Sequence, residues 1–146
     1  AGLALPKITR VAINPGENQR GWNDMSPPFD EYSALRIRHA GAVDVPDGQT
    51  GQPQEIYDFY VNVDNLYLNT ELKGSKGEEI ELLRAKFIYG LVLLGLALVN
   101  FEEKSSPDEG TSDTNIEDKV EEFSKAVSVV LLPIINELSD LEIEFD

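Results

Sequence analysis

The chain has 146 residues, enough for one domain, and its 41% hydrophobic content is typical of a folded protein rather than a disordered one. A formal net charge of −15 argues against direct binding of nucleic acid or anionic lipid. The absence of cysteine excludes disulfides and thiolate metal sites and is compatible with a cytoplasmic location. We interpret residues 1–146 as a single domain and expect it to belong to a larger prokaryotic protein or assembly.

The first 31 residues predict an irregular N-terminal arm, because Pro and Gly interrupt every regular pattern. A short strand is expected at 8–13. Trp22, Met25 and Phe29 are large apolar side chains in this arm. Either they lie across the core of their own domain, or they dock on another chain.

Residues 32–73 predict strands. In the first, Leu35, Ile37 and His39 share one face and the intervening arginines share the other. A second alternating strand begins near Tyr57, and its phase slips at Asn65. A bulge at Asp64-Asn65, with the strand bending on to about Leu72, is the preferred explanation, and a short helix with an Asp64 N-cap is the alternative.

Residues 78–101 predict a helix buried on all sides, because thirteen consecutive positions from Phe87 to Val99 are apolar or glycine. That run is shorter than the roughly 20 residues of a membrane span. We therefore expect a core helix and no membrane contact. Gly90 and Gly95 are five residues apart and point about 140° from each other. Each is expected to allow its own close contact, one with the second helix near Val127–Leu131 and the other with the sheet face that carries Phe59 and Val61.

An acidic connector is expected at 102–113, and an amphipathic helix at 114–141 that kinks before Pro133. The alternating residues 141–146 predict a final edge strand. The predicted fold class is therefore α+β: a small antiparallel sheet of three to four strands packed against a C-terminal αα-hairpin with one fully buried helix.

The leading functional interpretation is a non-enzymatic protein-interaction or oligomerisation module, because the buried helix needs cover that a small domain does not fully supply. A protein partner or self-association is expected, with no cofactor. The predicted interaction residues are large apolar side chains of the arm and second helix together with the two helical glycines: Trp22, Phe29, Gly90, Gly95, Phe123 and Val127.

A magnesium-dependent nuclease or phosphodiesterase is the enzymatic alternative. Asp58, Glu71 and Lys73 follow the order in which such enzymes place a strand Asp and a Glu-x-Lys before a helix. The same reasoning makes Asp58, Asp64 and Glu71 the candidate metal ligands. Glu-x-Lys is common by chance, so the pattern has low specificity, and the lone His39 supplies no metal cluster.

The third interpretation is an acidic mimic of nucleic acid, or an inhibitor, that binds a basic protein. Its basis is the excess of carboxylates after residue 101, with Glu137, Asp140 and Glu142 as the test positions. Many ordinary acidic proteins share this composition, so a solvated helix face explains it equally well.

Overall fold

The computed structural model describes residues 5–43, 54–105 and 115–145, and this part of the chain is an α+β fold with one curled four-stranded sheet and three α-helices. The elements in chain order are β1 Lys7–Ala12, β2 Arg20–Gly21, β3 Leu35–Val43, β4 Gln54–Asn62, α1 Leu66–Leu72, α2 Glu78–Ser105 and α3 Ile116–Phe145. The predicted acidic connector at 102–113 falls largely outside the described residues.

The sheet is mixed, so the prediction of an antiparallel sheet holds only for part of it. Strand order is β2-β1-β4-β3. β3 and β4 pair antiparallel, with Ile37 opposite Phe59, whereas β1 pairs parallel to β4, with Ile8 opposite Phe59. Alternation in a sequence fixes which side chains share a face, but it does not fix strand direction, and this is why β1 was not foreseen as a parallel neighbour.

One face of the sheet carries the main core. The side chains of Leu35, Ile37, Phe59 and Val61 are buried there against α2 and α3, as the alternation predicts. His39 shares this face, as predicted, but its side chain is exposed at the point where the register shifts between His39 and Gly41.

The opposite face carries a second, smaller core. Val11, Met25 and Phe29 are buried there, with Trp22 and Tyr60 packed against them. The Trp22 indole N–H donates to Asn62 Oδ1 at 2.9 Å. The N-terminal arm therefore lies across its own domain, which is the first of its two interpretations.

The predicted extension of a strand to Leu72 is wrong, and so is the predicted bulge at Asp64-Asn65. β4 ends at Asn62, and α1 begins after an Asn65 N-cap, whose side-chain oxygen accepts hydrogen bonds from the N–H groups of Tyr67 and Leu68 at 2.9 and 3.0 Å. The alternative of a short helix was right, with its cap one residue later than Asp64. Asn65 is buried, and its amide donates to Ser33 O at 3.1 Å, so the same residue fixes the end of the strand and the start of the helix.

The predicted C-terminal edge strand at 141–146 is also wrong, since α3 continues to Phe145. The alternation of Leu, Ile and Phe with Glu is typical of a strand. Here it follows an established helix, and extending a helix by another turn carries no new nucleation cost.

α2 is not buried on all sides, contrary to prediction. Phe87 and Leu91 are fully buried, whereas Tyr89 and Leu93 are 65% and 67% exposed. By length and composition α2 could cross a bilayer: the segment Glu78–Glu102 contains a window with a mean hydropathy of 2.0, of which 39% is buried within the protein. The sheet, α3 and α1 each cover part of α2, and the side that carries Tyr89 and Leu93 is open.

Both predicted glycine contacts are confirmed. A Cβ at Gly90 would lie 2.8 Å from Leu131 Cδ2 of α3. A Cβ at Gly95 would lie 2.8 Å from Phe59 Cε2 and 2.9 Å from Leu35 Cδ2. Both distances are shorter than a carbon–carbon contact allows, so the two glycines let α2 approach α3 and the sheet at the observed separations.

Candidate interaction surface

The side of α3 toward the sheet follows the outer edge of β3. Ser124 Oγ accepts from the Leu35 N–H at 3.0 Å, and Glu117 accepts from the His39 N–H at 3.0 Å. These side chains satisfy main-chain groups that would otherwise stay open at the edge of the sheet. This edge is thereby closed to another strand at the two positions.

A buried ion pair joins the same side of α3 to the sheet. Arg36, only 2% exposed, directs Nε to both oxygens of Glu121 at 3.1 Å and Nη2 to Oε2 at 2.7 Å. Its guanidinium also lies 4.5 Å from the centroid of the Phe29 ring. Arg38 pairs with Glu117 at 3.5 Å. Two carboxylates of the acidic C-terminal region are therefore engaged within the domain.

The side of α3 and α2 that faces away from the sheet is apolar. Its members are exposed aliphatic or aromatic residues that recur at helical spacing on both helices. We call this surface the outer face; it consists of Leu82, Tyr89, Leu93 and Ala97 of α2 and Phe123, Ala126, Val130, Ile134 and Leu138 of α3.

Helix geometry places the two stripes of the outer face on one side of the molecule. α2 and α3 are antiparallel, since the Gly90 position meets Leu131 and Lys119 Nζ meets Glu102 at 2.7 Å. Leu93 points about 160° from Gly95, the α2 residue that faces the sheet. On α3, Val130 points about 180° from Glu121, which faces Arg36. Both stripes therefore point away from the sheet and flank the contact between the two helices.

Of the predicted interaction residues, Phe123 alone lies on the outer face. Val127 is half-buried against the main core, and Gly90 and Gly95 are contact points inside the fold. Phe29 is buried and Trp22 half-buried in the small core. Sequence reasoning missed Tyr89 and Leu93, although α2 is apolar on every side and the two neighbouring helices and the small sheet leave part of it exposed.

The residues of the nuclease interpretation are dispersed. Asp58 lies within β4, opposite Lys7 and Arg38, whereas Glu71 and Lys73 lie at the end of α1. The five strand residues from Asp58 to Asn62 alone span roughly 13 Å.

The candidate metal ligands Glu71 and Asp64 each have a separate hydrogen-bond partner. Glu71 Oε1 accepts from the Asn136 amide at 3.4 Å, and Asp64 accepts from the Ile13 N–H at 2.7 Å. Across the described residues no group of three His, Cys, Asp or Glu side chains is placed to hold a metal ion. Of the positions chosen for the acidic-mimic interpretation, Glu137 is exposed on α3, and the side chains of Asp140 and Glu142 lie outside the described set.

The outer face is thus the feature on which a functional argument rests. Comparison of the chain with protein-family models, with curated proteins and with solved structures finds no match.

Proposed function

We propose that this chain is a non-enzymatic interaction module that self-associates through the outer face of α2 and α3. The observation that carries the proposal is the pair of exposed apolar stripes on neighbouring helices. A single exposed apolar side chain is ordinary on a protein surface, whereas a contiguous set on two adjacent helices is typical of an interface.

The size of the outer face supports a stable contact. Seven of its members are large side chains with roughly half to two-thirds of their surface exposed: Leu82, Tyr89, Leu93, Phe123, Val130, Ile134 and Leu138. At roughly 100 Å² for each such side chain, these present about 700 Å². This exceeds the 300–600 Å² of the largest patch on a typical monomer and approaches the ~800 Å² that each partner buries in a standard interface.

A second copy is the partner that this surface fits most directly. Two antiparallel helices with apolar outer stripes can pack on the same pair of a second molecule as a four-helix bundle with two-fold symmetry. α2 carries no carboxylate between Leu82 and Phe101, whereas the exposed Glu137 of α3 lies seven residues after Val130 and therefore on the same side of that helix, so part of the repulsion between two chains of charge −15 acts at the contact. Added salt should strengthen the dimer by screening this repulsion.

A membrane is the competing partner, since α2 has the length and composition of a membrane span. Two features favour protein over lipid. Phe87, Leu91 and Gly95 hold α2 against the sheet, and a net charge of −15 disfavours approach to anionic lipid. The predicted cytoplasmic location stays a prediction.

Sedimentation of the chain between 1 and 100 μM tests the proposal. We expect a dimer that Leu93→Glu and Val130→Glu convert to monomer, because each places a charge in the apolar contact. Val129→Glu is the matched control: Val129 is 43% exposed and Val130 46%, but Val129 points about 100° away. A wild-type chain that stays monomeric throughout contradicts self-association, and co-sedimentation with neutral phosphatidylcholine vesicles, abolished by Leu93→Glu, would indicate lipid instead.

A further inference from the structure

A second surface lies at the opposite edge of the sheet from α3. β2 forms that edge but has only two residues, which pair with Val11 and Ala12 of β1. The preceding residues of β1, Lys7 to Arg10, pair with β4 on one side. On their other side no strand lies among the described residues.

The direction of the β1 main chain can be deduced from one hydrogen bond. The Val63 N–H donates to Val11 O at 2.9 Å, so the main-chain groups of Val11 face β4. Because these groups alternate along a strand, those of Ile8 and Arg10 face the opposite edge. Ile8 lies beyond the reach of the two-residue β2, and its N–H and C=O point toward the open edge.

A cleft of about 400 Å³ lies along this edge, and its lining is basic. Lys7 and Arg20 contribute positive charges, and the Arg20 guanidinium lies 6.0 Å from the centroid of the Tyr60 ring. Ile8, Asn18 and Gln19 are among the other lining residues, and none of the residues lining this cleft is acidic. The cleft lining is thus basic in a chain with 27 acidic and 12 basic residues, and the carboxylate of Asp58, opposite Lys7 on β4, is not part of that lining.

We propose that this edge binds an extended acidic segment of a partner protein, which adds to β1 as a further strand. Strand addition supplies main-chain hydrogen bonds, and alternate side chains supply specificity. On the face shared with Lys7, Thr9 and Tyr60, the segment presents Glu or Asp to Lys7 and Arg20. On the other face it presents an apolar side chain next to Ile8, which is 40% exposed. This site is separate from the outer face of α2 and α3.

Fluorescence anisotropy with two labelled heptapeptides tests the proposal. One alternates Glu and Val and the other alternates Lys and Val. We expect the glutamate peptide to bind the wild-type chain at least tenfold more tightly than the lysine peptide, and its binding to weaken in 0.5 M NaCl, because the contact is electrostatic. Equal binding of the two peptides, or no binding of the glutamate peptide, overturns the proposal.

Charge-reversal variants locate the site. Lys7→Glu/Arg20→Glu should weaken binding of the glutamate peptide tenfold or more. Lys73→Glu/Lys76→Glu is the matched control, since it makes the same change of net charge at exposed positions near the end of α1 and should alter binding less than twofold. Equal weakening by both pairs would mean that only overall charge matters, and it would contradict a site at β1.

A peptide variant tests strand addition without changing the protein. N-methylation of those peptide residues whose N–H groups would face β1 should abolish binding, because it removes the donors of the ladder. Unchanged binding contradicts strand addition. Leu93→Glu should bind the glutamate peptide as the wild type does, so this test and the self-association test succeed or fail independently.

Discussion

The two sides of α3 carry opposite chemistry. The side toward the sheet includes Glu117, Glu121 and Ser124, which bind main-chain groups and a buried arginine of β3. The side that faces away includes Val130 and Ile134, about half exposed. A helix on a protein surface usually turns its polar side to water. In α3, part of the polar side closes a sheet edge, and an apolar stripe is left exposed.

Glu121→Ala is the largest expected disruption of the sheet side. It leaves the Arg36 guanidinium buried without its carboxylate, and breaking a buried pair in this way costs about 3–5 kcal/mol. Urea denaturation measures the loss. The neighbouring exposed residue provides the control: Glu122→Ala should change stability by less than about 0.5 kcal/mol. Similar losses of stability in Glu121→Ala and Glu122→Ala would show that the ion pair with Arg36 does not make the sheet side of α3 more important for folding than the exposed side.

Gly95→Leu should cost about 3 kcal/mol, because the new side chain would meet the buried Phe59 ring and Leu35. Gly90→Leu meets only the half-buried side chain of Leu131, which can move, so about 1–2 kcal/mol is expected. Thermal and urea unfolding of both variants test this order. If neither variant changes stability, α2 is not the central helix of the fold.

Ser124→Ala tests the closure of the sheet edge. The Leu35 N–H would lose its acceptor in a buried setting, which costs about 1–2 kcal/mol. Hydrogen exchange of the Leu35 amide should accelerate at the same time. Ser75→Ala, at a half-buried turn position, is the control and should leave that amide unaffected. Unchanged protection of Leu35 in Ser124→Ala would contradict the assigned hydrogen bond.

Structural features were predictable from sequence where they depend only on the spacing of nearby residues. The alternation of Leu35 and Ile37 gave the buried face of β3, and the spacing of Gly90 and Gly95 gave two separate contacts. The end of β4 was not predictable, because Asn65, which caps α1, also donates its amide to Ser33, a residue that is distant in sequence.

The candidate site was also hard to predict, because it depends on how distant elements of the chain pack together. A helix that is apolar all round does not specify which side stays open, because that depends on where the sheet and α3 lie. Phe123 belongs to an amphipathic stripe, which predicts a surface position, whereas Tyr89 and Leu93 belong to a continuous apolar run, which predicts a core helix. The ion pairs of Glu117 and Glu121 with arginines of β3 join residues that are distant in sequence, so the sequence pattern does not predict them.

The smallest expected effect on folding belongs to Leu93→Ala, and it gives the sharpest comparison within one helix. Leu91 and Leu93 are two residues apart on α2, but Leu91 is fully buried and Leu93 is 67% exposed. Leu91→Ala should lower the free energy of unfolding by about 3–4 kcal/mol through lost burial and a residual cavity. Leu93→Ala should change it by less than about 0.5 kcal/mol at a concentration where the chain is monomeric, since this side chain contributes little to the core.

The same variant should have a measurable effect on association. If the outer face joins two copies, Leu93→Ala removes apolar area from the contact and should raise the dimer dissociation constant about tenfold, the equivalent of roughly 1.4 kcal/mol. Sedimentation at several concentrations measures this constant. A large loss of monomer stability in Leu93→Ala would place Leu93 in the core, whereas an unchanged dissociation constant would remove it from the interface. If Leu93→Ala folds normally but associates more weakly, the buried side of α2 stabilises the fold and the exposed side contributes to association.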